Sequence, residues 1–264
     1  MNDDIDIKIT NPNKIVYGSI KKIDLINYYN DIFDYIYPFI KNRAISEIRC
    51  HGCFKNCFFK KHPQNSSEKL IQVSSKNELL NEVQLGTIEL HPYANFVSCN
   101  LPNVMIFDLD PDEDLSIKKL REGVKLVKQL LDELNLTSFL KTSGGKGYHI
   151  IIPFKKVKSW ATFENFSKNV ATILESRYPQ IFTTNIRKDS RNGKIFIDFL
   201  RNKKGATCVA PYSLRARDKL PISMPILWSD LNKIRPNQIN IKNYKNYLTD
   251  EVWENYFKVN QKLS

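Results

Sequence analysis

Two aspartates separated by one residue are the strongest candidates for chemistry in this sequence. Asp108 and Asp110 lie in Phe107-Asp108-Leu109-Asp110-Pro111, at the end of an apolar run. Alternate residues of a β-strand face the same side, which places these two Cβ atoms roughly 6–7 Å apart. Carboxylates that close repel each other unless a cation lies between them, and Mg²⁺ and Mn²⁺ prefer oxygen ligands. The pattern predicts a divalent-metal site; two solvated acids at a strand end are the alternative.

A third carboxylate lies in a second apolar segment. Asp198 is flanked by Ile195-Phe196-Ile197 and Phe199-Leu200, where an unpaired charge is expensive to bury. Three aspartates that meet at the edge of a sheet are typical of two-metal sites for phosphoryl or nucleotidyl transfer. The alternative is that Asp198 pairs with a nearby arginine, Arg191 or Arg201.

A glycine-rich turn separates the two aspartate segments. It reads Lys141-Thr142-Ser143-Gly144-Gly145-Lys146-Gly147-Tyr148-His149. Glycines let a backbone approach phosphate closely, Ser143 adds a hydroxyl and Lys146 a point charge. The turn is not a Walker A loop, because glycine follows the lysine and a strand rather than a helix comes next. Together with His149 it predicts a triphosphate-binding turn; a hairpin without a ligand is the alternative.

Composition limits the class of protein and its partners. The chain has 264 residues, 42% of them hydrophobic, and a formal net charge of +12. It can bury a sizeable core, as one large domain or two packed lobes. The charge favours a polyanion, nucleic acid before an anionic membrane. The acidic first residues do not resemble a secretion signal and no apolar run is long enough to cross a bilayer, so we expect a cytoplasmic location and no membrane partner.

Apolar periodicity places these residues in an α+β framework with a largely antiparallel sheet. Apolar positions recur at helical spacing from Leu25 to Ile40, and Asp24 is the expected N-cap of one helix. A strand at 104–109 is expected to end at Asp110-Pro111. The helix that follows, capped by Asp114 or Ser116, has an apolar stripe formed by Leu120, Val124, Val127, Leu131 and Leu134. The other predicted elements are strands at 138–142, 148–154 and 194–200, helices near 76–83 and 163–175, and a last short helix capped by Thr249.

The order of these motifs resembles the archaeo-eukaryotic primase superfamily. Four further segments are similar to the polymerase domain of bacterial DNA ligase D and its stand-alone archaeal relatives: Thr10-Asn11-Pro12-Asn13-Lys14, Phe58-Phe59-Lys60-Lys61-His62, Glu89-Leu90-His91-Pro92 and Val209-Ala210-Pro211-Tyr212-Ser213-Leu214-Arg215-Ala216-Arg217. The resemblance extends from about Thr10 to Trp228. It implies one ligase-D-type domain over 1–264, with a smaller N-terminal α/β lobe (1–100) and a catalytic lobe (101–264). In that lobe helices flank a mostly antiparallel sheet.

The resemblance also implies a role for each matching residue. Two divalent ions, Mn²⁺ or Mg²⁺ with Mn²⁺ favoured, are expected on Asp108, Asp110 and Asp198. The incoming NTP or dNTP is expected to contact His91, Ser143, Lys146, His149 and Arg215. A downstream DNA 5′-phosphate is expected at Asn11, Lys14 and Lys22, and the template at Phe58 and Phe59. Electrostatic support is expected from Lys61, Arg191 and Arg217.

The function implied is template-directed filling of gaps at broken DNA ends in non-homologous end joining, with ready use of ribonucleotides. A de novo primase of a replication or mobile-element system and a non-catalytic module that bridges DNA ends are the alternatives. The 5′-phosphate residues disfavour the primase, and the clustered acids disfavour the bridging module. Because no ligase module precedes the end at Ser264, we expect a separate DNA ligase and a Ku-like end-binding protein as partners, unless the chain is an excised domain.

The cysteines do not belong to this resemblance. Cys50, Cys53 and Cys57 lie close to His51 and His62, but their spacing matches no standard zinc finger. An odd total of five cysteines in a reducing compartment argues against a disulfide scaffold. Reduced thiols are therefore the prediction, with a zinc site as the alternative.

Overall fold

The computed structural model describes residues 7–51, 56–63, 66 and 68–263, apart from the side chain of Ser190. The first part of the chain forms a β-hairpin, three helices and a three-stranded sheet. The strands are β1 (Ile15–Tyr17), β2 (Ile20–Lys21), β3 (Ile45–Cys50), β4 (Cys57–Lys60) and β5 (Thr87–Pro92). The helices are α1 (Lys22–Asp31), α2 (Phe33–Ile40) and α3 (Lys76–Gln84).

The single helix predicted from Leu25 to Ile40 is two helices. Ile32 separates them: its amide ends α1 by donating to Tyr28 O, and its carbonyl accepts from Ile36 N at the start of α2. The apolar period does not reveal this break, because both helices bury residues on the face turned to the core. Asp24 is not the N-cap either. It lies in the first turn, where its carboxylate accepts from Lys21 N at 2.7 Å.

The three-stranded sheet is antiparallel, in the order β4-β3-β5. Its β3–β4 register places Cys50 opposite Cys57, and the two residues form a disulfide. The expectation of reduced thiols is therefore wrong for this pair: strand pairing brings the two Cα atoms to 4.0 Å, which the spacing in sequence does not show. Cys53 lies outside the described residues.

The second part of the chain contributes eight strands and two long helices. The strands are β6 (Val104–Pro111), β7 (Phe139–Thr142), β8 (Tyr148–Pro153), β9 (Lys156–Val157), β10 (Phe182–Thr183), β11 (Ile195–Asp198), β12 (Pro225–Ile226) and β13 (Lys262–Leu263). The helices are α4 (Ile117–Glu133) and α5 (Trp160–Arg177). Six of these strands form one sheet in the order β10-β11-β6-β8-β7-β12, in which only the β10–β11 pair is parallel.

Three predicted element ends differ from the structure. Strand β6 continues through Asp110-Pro111, because Pro111 still pairs with Ile195 of β11. The stripe of α4 stops before Leu134, which is 40% exposed. At the other end of α4, Ser116 is the one of the two predicted caps that is present, and it accepts from Lys119 N. Thr249 begins no helix: turns follow it, then a short 3-10 segment at Tyr256–Lys258.

One apolar cluster joins the two parts of the chain. It includes Ile45 and Leu90 of the three-stranded sheet together with Phe107 and Ile150 of the six-stranded sheet. The division into lobes near residue 100 therefore stays a prediction. A search of the described residues for a helix that could span a membrane finds none.

Candidate active site

The register of three neighbouring strands assembles the centre of the site. On β6, Met105, Phe107 and Leu109 point into the core, so Asp108 and Asp110 share the opposite face. Asp108 lies directly opposite Asp198 of β11 on one side and opposite His149 of β8 on the other. The structure thus brings together the three aspartates and the histidine that the sequence singles out.

Each of the three carboxylates has a cationic partner within the protein. Asp110 Oδ2 lies 2.7 Å from Arg191 Nη1, and Asp198 Oδ2 lies 3.1 Å from Arg201 Nε. Asp108 Oδ1 is 3.2 Å from His149 Nε2, and Asp108 Oδ2 is 3.8 Å from Arg201 Nε. The arginine pairing left open for Asp198 is therefore present.

The pKa values of the two facing aspartates move in opposite directions. Burial opposes the charge of Asp108, but His149 and Arg201 outweigh it and hold the pKa of Asp108 below its usual range. Burial and the charges of Asp108 and Asp110 raise the pKa of Asp198, against the opposing effect of Arg201. Asp198 therefore lies where a further positive charge would relieve its repulsion from the other two carboxylates.

The donor set suits a hard divalent cation. Three carboxylates on facing and alternate strand positions offer the oxygen ligands that Mg²⁺ and Mn²⁺ take. Among the described residues, no group of three His, Cys, Asp or Glu side chains is already arranged to hold a metal ion. The carboxylate oxygens instead face Arg191, Arg201 and His149. Fit to a cation thus rests on the chemistry of the acids and their repulsion.

The glycine-rich turn lies over the end of β6. The Ser143 hydroxyl oxygen accepts from Gly145 N at 3.0 Å and from Gly147 N at 3.2 Å, which leaves its own hydrogen free to donate to a ligand. Gly144 has a φ of +68°, and a Cβ on Gly147 would overlap the Leu109 carbonyl oxygen. Both glycines are therefore required by the backbone of the turn.

A polar cleft of about 680 Å³ separates this turn from the aspartates. Lys146, Arg215 and Arg217 line it on the side of the turn, and Arg191 and Arg201 on the side of β11. Lys146 Nζ is 2.9 Å from the exposed Glu113 carboxylate, a surface pair that is weak enough to exchange for a stronger anion. The cleft combines a small acidic centre with a cationic wall.

Glu89 is a buried carboxylate that received no role in the sequence analysis. It joins two of the expected nucleotide contacts. Glu89 Oε2 lies 2.8 Å from His91 Nε2 and 2.9 Å from Arg215 Nε, and Oε1 accepts from Ala216 N at 2.8 Å. Burial opposes its charge, but the His91 hydrogen bond and the Arg215 guanidinium lower the pKa of Glu89 to about 2. Glu89 thus fixes the orientation of both partners.

The two phenylalanines of β4 lie on the protein surface. Phe58 and Phe59 are 45% and 50% exposed. The Phe59 ring lies 6.2 Å from the His91 ring, and Lys61 Nζ is 5.6 Å from the Phe59 centroid. The expected template residues are thus adjacent to an expected nucleotide residue, beside the cleft rather than in it.

The expected 5′-phosphate residues form a separate corner. Lys14 and Lys22 line a small cavity of about 100 Å³ together with His51 and Gly86. Burial and the neighbouring charge of Lys14 lower the pKa of Lys22, whose Nζ donates to Thr10 O at 2.7 Å. Asn11 accepts from Lys14 N through its carbonyl and has a left-handed φ of 50°. Two clustered cations at this corner fit an anion.

Comparison with known proteins decides the family. The family described as LigD, primase-polymerase domain, matches residues 21–253. The chain belongs to this LigD primase-polymerase family. Both the resemblance and the fold that it implies are confirmed. The polymerase domain of Mycobacterium tuberculosis ligase D in complex with DNA has the same fold, with a TM-score of 0.85 and 25% identity over 94% of this chain and 96% of that one.

Two curated LigD relatives are much longer than this chain. The multifunctional non-homologous end joining protein LigD of Pseudomonas aeruginosa is 32% identical over 98% of this chain and 34% of its own length. The bifunctional non-homologous end joining protein LigD of Bacillus subtilis is 27% identical over 85% of this chain and 39% of its own. The chain spans about a third of the length of these LigD proteins.

The sequence assigned no role in the site to Lys141, and it named Arg201 only as an alternative partner of Asp198. Arg201 joins Asp108 to Asp198, and its position three residues after Asp198 was the available signal. Lys141 is completely buried, with Nζ 2.8 Å from His149 Nδ1. A lysine in an otherwise apolar strand was the signal there, because such a charge needs a partner.

Proposed function

We propose that this chain is a template-directed nucleotidyltransferase that extends a primer 3′ end across short gaps at broken DNA ends in non-homologous end joining. The carrying observation is the placement of three carboxylates, on facing strands, opposite a glycine-rich turn and a cationic wall. Membership of the LigD primase-polymerase family supports it. Either NTPs or dNTPs would serve as substrates, with ribonucleotides used readily.

Asp108, Asp110 and Asp198 would hold two divalent ions, with Mn²⁺ favoured over Mg²⁺. Bound there, the ions would supply activation of the primer 3′-hydroxyl and neutralisation of charge on the departing pyrophosphate. The protein would position the triphosphate through the Ser143 hydroxyl, the turn amides and the Lys146, Arg215 and Arg217 side chains. His91, held by Glu89, would contact the same nucleotide next to Phe59.

Two surfaces outside the cleft would hold the DNA. Phe58 and Phe59 would stack on template bases, with Lys61 near the backbone. Lys14, Lys22 and Asn11 would hold the 5′-phosphate across the gap. We also propose a Ku-like end-binding protein and a DNA ligase as partners, because the two longer relatives are named end-joining proteins. A cytoplasmic location is part of the same proposal.

The test uses a gapped duplex with and without the downstream 5′-phosphate, Mn²⁺, and each NTP or dNTP in turn. Wild-type protein is expected to extend the primer and to prefer the phosphorylated gap, whereas Asp198→Ala is expected to be inactive. Normal extension by Asp198→Ala would overturn the metal assignment. Indifference to the 5′-phosphate would remove the gap-filling role, and synthesis on a template without primer would favour the primase.

A further inference from the structure

A buried cation lies directly behind the acidic centre. Lys141 of β7 is fully buried and pairs in register with His149 of β8. Its Nζ lies 2.8 Å from His149 Nδ1 and 2.5 Å from Ser223 Oγ. Burying a lysine without an acidic partner is costly. The proposed function uses neither Lys141 nor Ser223, so another role must explain the arrangement.

The hydrogen bonds around Lys141 run in one consistent direction. Ser223 Oγ donates to Thr142 O at 3.0 Å, so that oxygen accepts from Lys141 through its lone pair. An ammonium has donors only, and Nδ1 of His149 must therefore accept the second Lys141 hydrogen. A neutral imidazole whose Nδ1 accepts carries its hydrogen on Nε2. That hydrogen points at Asp108 Oδ1, 3.2 Å away.

The His149 ring has two other arrangements of its hydrogens. If the ring held the proton shared with Lys141, both ring nitrogens would be protonated and Nε2 would still donate to Asp108. The Cys208 thiol, whose Sγ lies 3.5 Å from Nδ1, can donate its own hydrogen to the same nitrogen. A ring protonated on Nδ1 alone would turn the lone pair of Nε2 toward the Asp108 carboxylate, which is repulsive. Nε2–H toward Asp108 is thus the arrangement that all contacts allow.

We propose that Lys141 is a positioning residue: by donating to Nδ1, it fixes His149 with its Nε2–H on Asp108 and so fixes the orientation of that carboxylate. This proposal rests on the proposed role of Asp108 as a metal ligand. Residues that orient ligands from behind in this way commonly change metal affinity by 10–100-fold when they are replaced.

The first measurement needs neither metal nor DNA. The imidazole ¹⁵N resonances of His149 are identified in labelled protein by comparison with His149→Gln, which is practical because the chain has four histidines. Wild-type protein is expected to show a protonated Nε2. In Lys141→Met the His149 Nδ1 resonance is expected to shift, because that nitrogen loses the hydrogen that Lys141 donates. An unprotonated Nε2 in the wild type, or unchanged His149 resonances in Lys141→Met, would overturn the proposal.

The second measurement is the affinity for Mn²⁺, read from the electron paramagnetic resonance of the free ion. Lys141→Met is expected to bind Mn²⁺ about 10–100-fold more weakly than the wild type. Ser223→Ala is expected to show a smaller loss of Mn²⁺ affinity. Thr142→Val is the matched control, since Thr142 is also buried on β7 but bonds Ile222 O and Met224 N instead of His149. It is expected to lower thermal stability while leaving the His149 resonances in place.

These outcomes separate the positioning role from the proposed function. If Lys141→Met bound Mn²⁺ as tightly as the wild type and Asp198→Ala were inactive, the role of Lys141 would be overturned and the metal site would stand. Normal primer extension by Asp198→Ala would overturn the metal site itself. If Lys141→Met does not fold, the wild-type resonances and the Ser223→Ala variant still decide. Unchanged His149 resonances and unchanged Mn²⁺ affinity in Ser223→Ala would overturn the positioning role of Lys141.

Discussion

The cleft and the outer face of β4 present their functional side chains in opposite ways. In the cleft, Asp108, Asp110 and Asp198 each face an arginine or histidine of the protein itself. On β4, Phe58 and Phe59 are about half exposed. The cleft is therefore organised before any ligand binds, whereas the two rings of the β4 face are left open to solvent.

This difference determines what a substitution would cost. Removing one member of a buried charge pair, such as Glu89 beside Arg215, leaves the other unpaired and is destabilising. Truncating a half-exposed ring removes little packing, so its effect should be confined to binding. Stability and activity should thus change together in the cleft and separately on β4.

The largest effect is expected from Asp108→Asn. The change keeps the side-chain shape but removes the charge that faces Asp198 and His149. Primer extension should fall by at least about 10³-fold, the scale on which loss of a catalytic group is felt. Steady-state extension of a gapped duplex measures it. Asp114→Asn is the matched control, because Asp114 is exposed on the rim of the same cleft; comparable losses in both variants would contradict the assignment.

The clustering of the three acids was predictable because the side chains of a strand alternate between its two faces. The apolar residues of β6 point inward, which forces Asp108 and Asp110 to the other face, and the polar break in the apolar run around Asp198 indicated the third acid. Glu89 and Arg215 show no such local pattern, because they lie 126 residues apart in the sequence and meet only through the fold. No local signal pairs them.

A second large effect is expected from Glu89→Gln. The amide removes the negative charge that Arg215 and His91 share, and the free energy of unfolding at neutral pH should fall by about 2–3 kcal/mol, as for other hydrogen bonds to charged groups. The pKa of Glu89 is lowered from 4.5 to about 2. Its contribution is therefore complete above pH 4.5 and is lost as the pH falls toward 2.

Urea unfolding between pH 2.5 and pH 7 measures this contribution. The difference in stability between wild type and Glu89→Gln should shrink on the acidic side of pH 4.5. A difference that stays constant over the whole range would contradict the lowered pKa. Glu133→Gln is the control: its exposed carboxylate pairs with Arg177 on the surface, so little change is expected at any pH.

A smaller effect, confined to binding, is expected on β4. Phe59→Ala should weaken affinity for a gapped duplex by about 5–10-fold, near the lower end of the range for stacking one base on an aromatic ring. Fluorescence anisotropy at fixed salt measures it, and Mn²⁺ affinity and thermal stability should not change. Phe257→Ala is the control, since Phe257 is 61% exposed and lies in the 3-10 segment Tyr256–Lys258, beside Phe39. If Phe59→Ala lowered the melting temperature as well as the affinity for DNA, Phe59 would be a structural residue.

Errors in the sequence-based fold arise where geometry depends on register or on a single residue. The break at Ile32 leaves the apolar face continuous, so one helix was predicted where the structure has two. The Cys50–Cys57 bond depends on the β3–β4 register, which the spacing of cysteines does not encode. The β4 face shows the same limit, because Phe58 and Phe59 were assigned by resemblance and not by any pattern of burial.

The smallest effect is expected at the corner formed by Lys14 and Lys22. Lys14→Ala should reduce the preference for a 5′-phosphorylated gap by about 3–5-fold and lower the salt slope of binding by about 0.9, the value for one phosphate contact. Lys41→Ala is matched in charge, since Lys41 is also exposed but lies at the end of α2. Both variants lower the net charge of +12 equally. A local contact with the 5′-phosphate lowers affinity for the phosphorylated gap more than affinity for the unphosphorylated gap. If both variants lost affinity equally for both substrates, Lys14 would be only part of a diffuse basic surface.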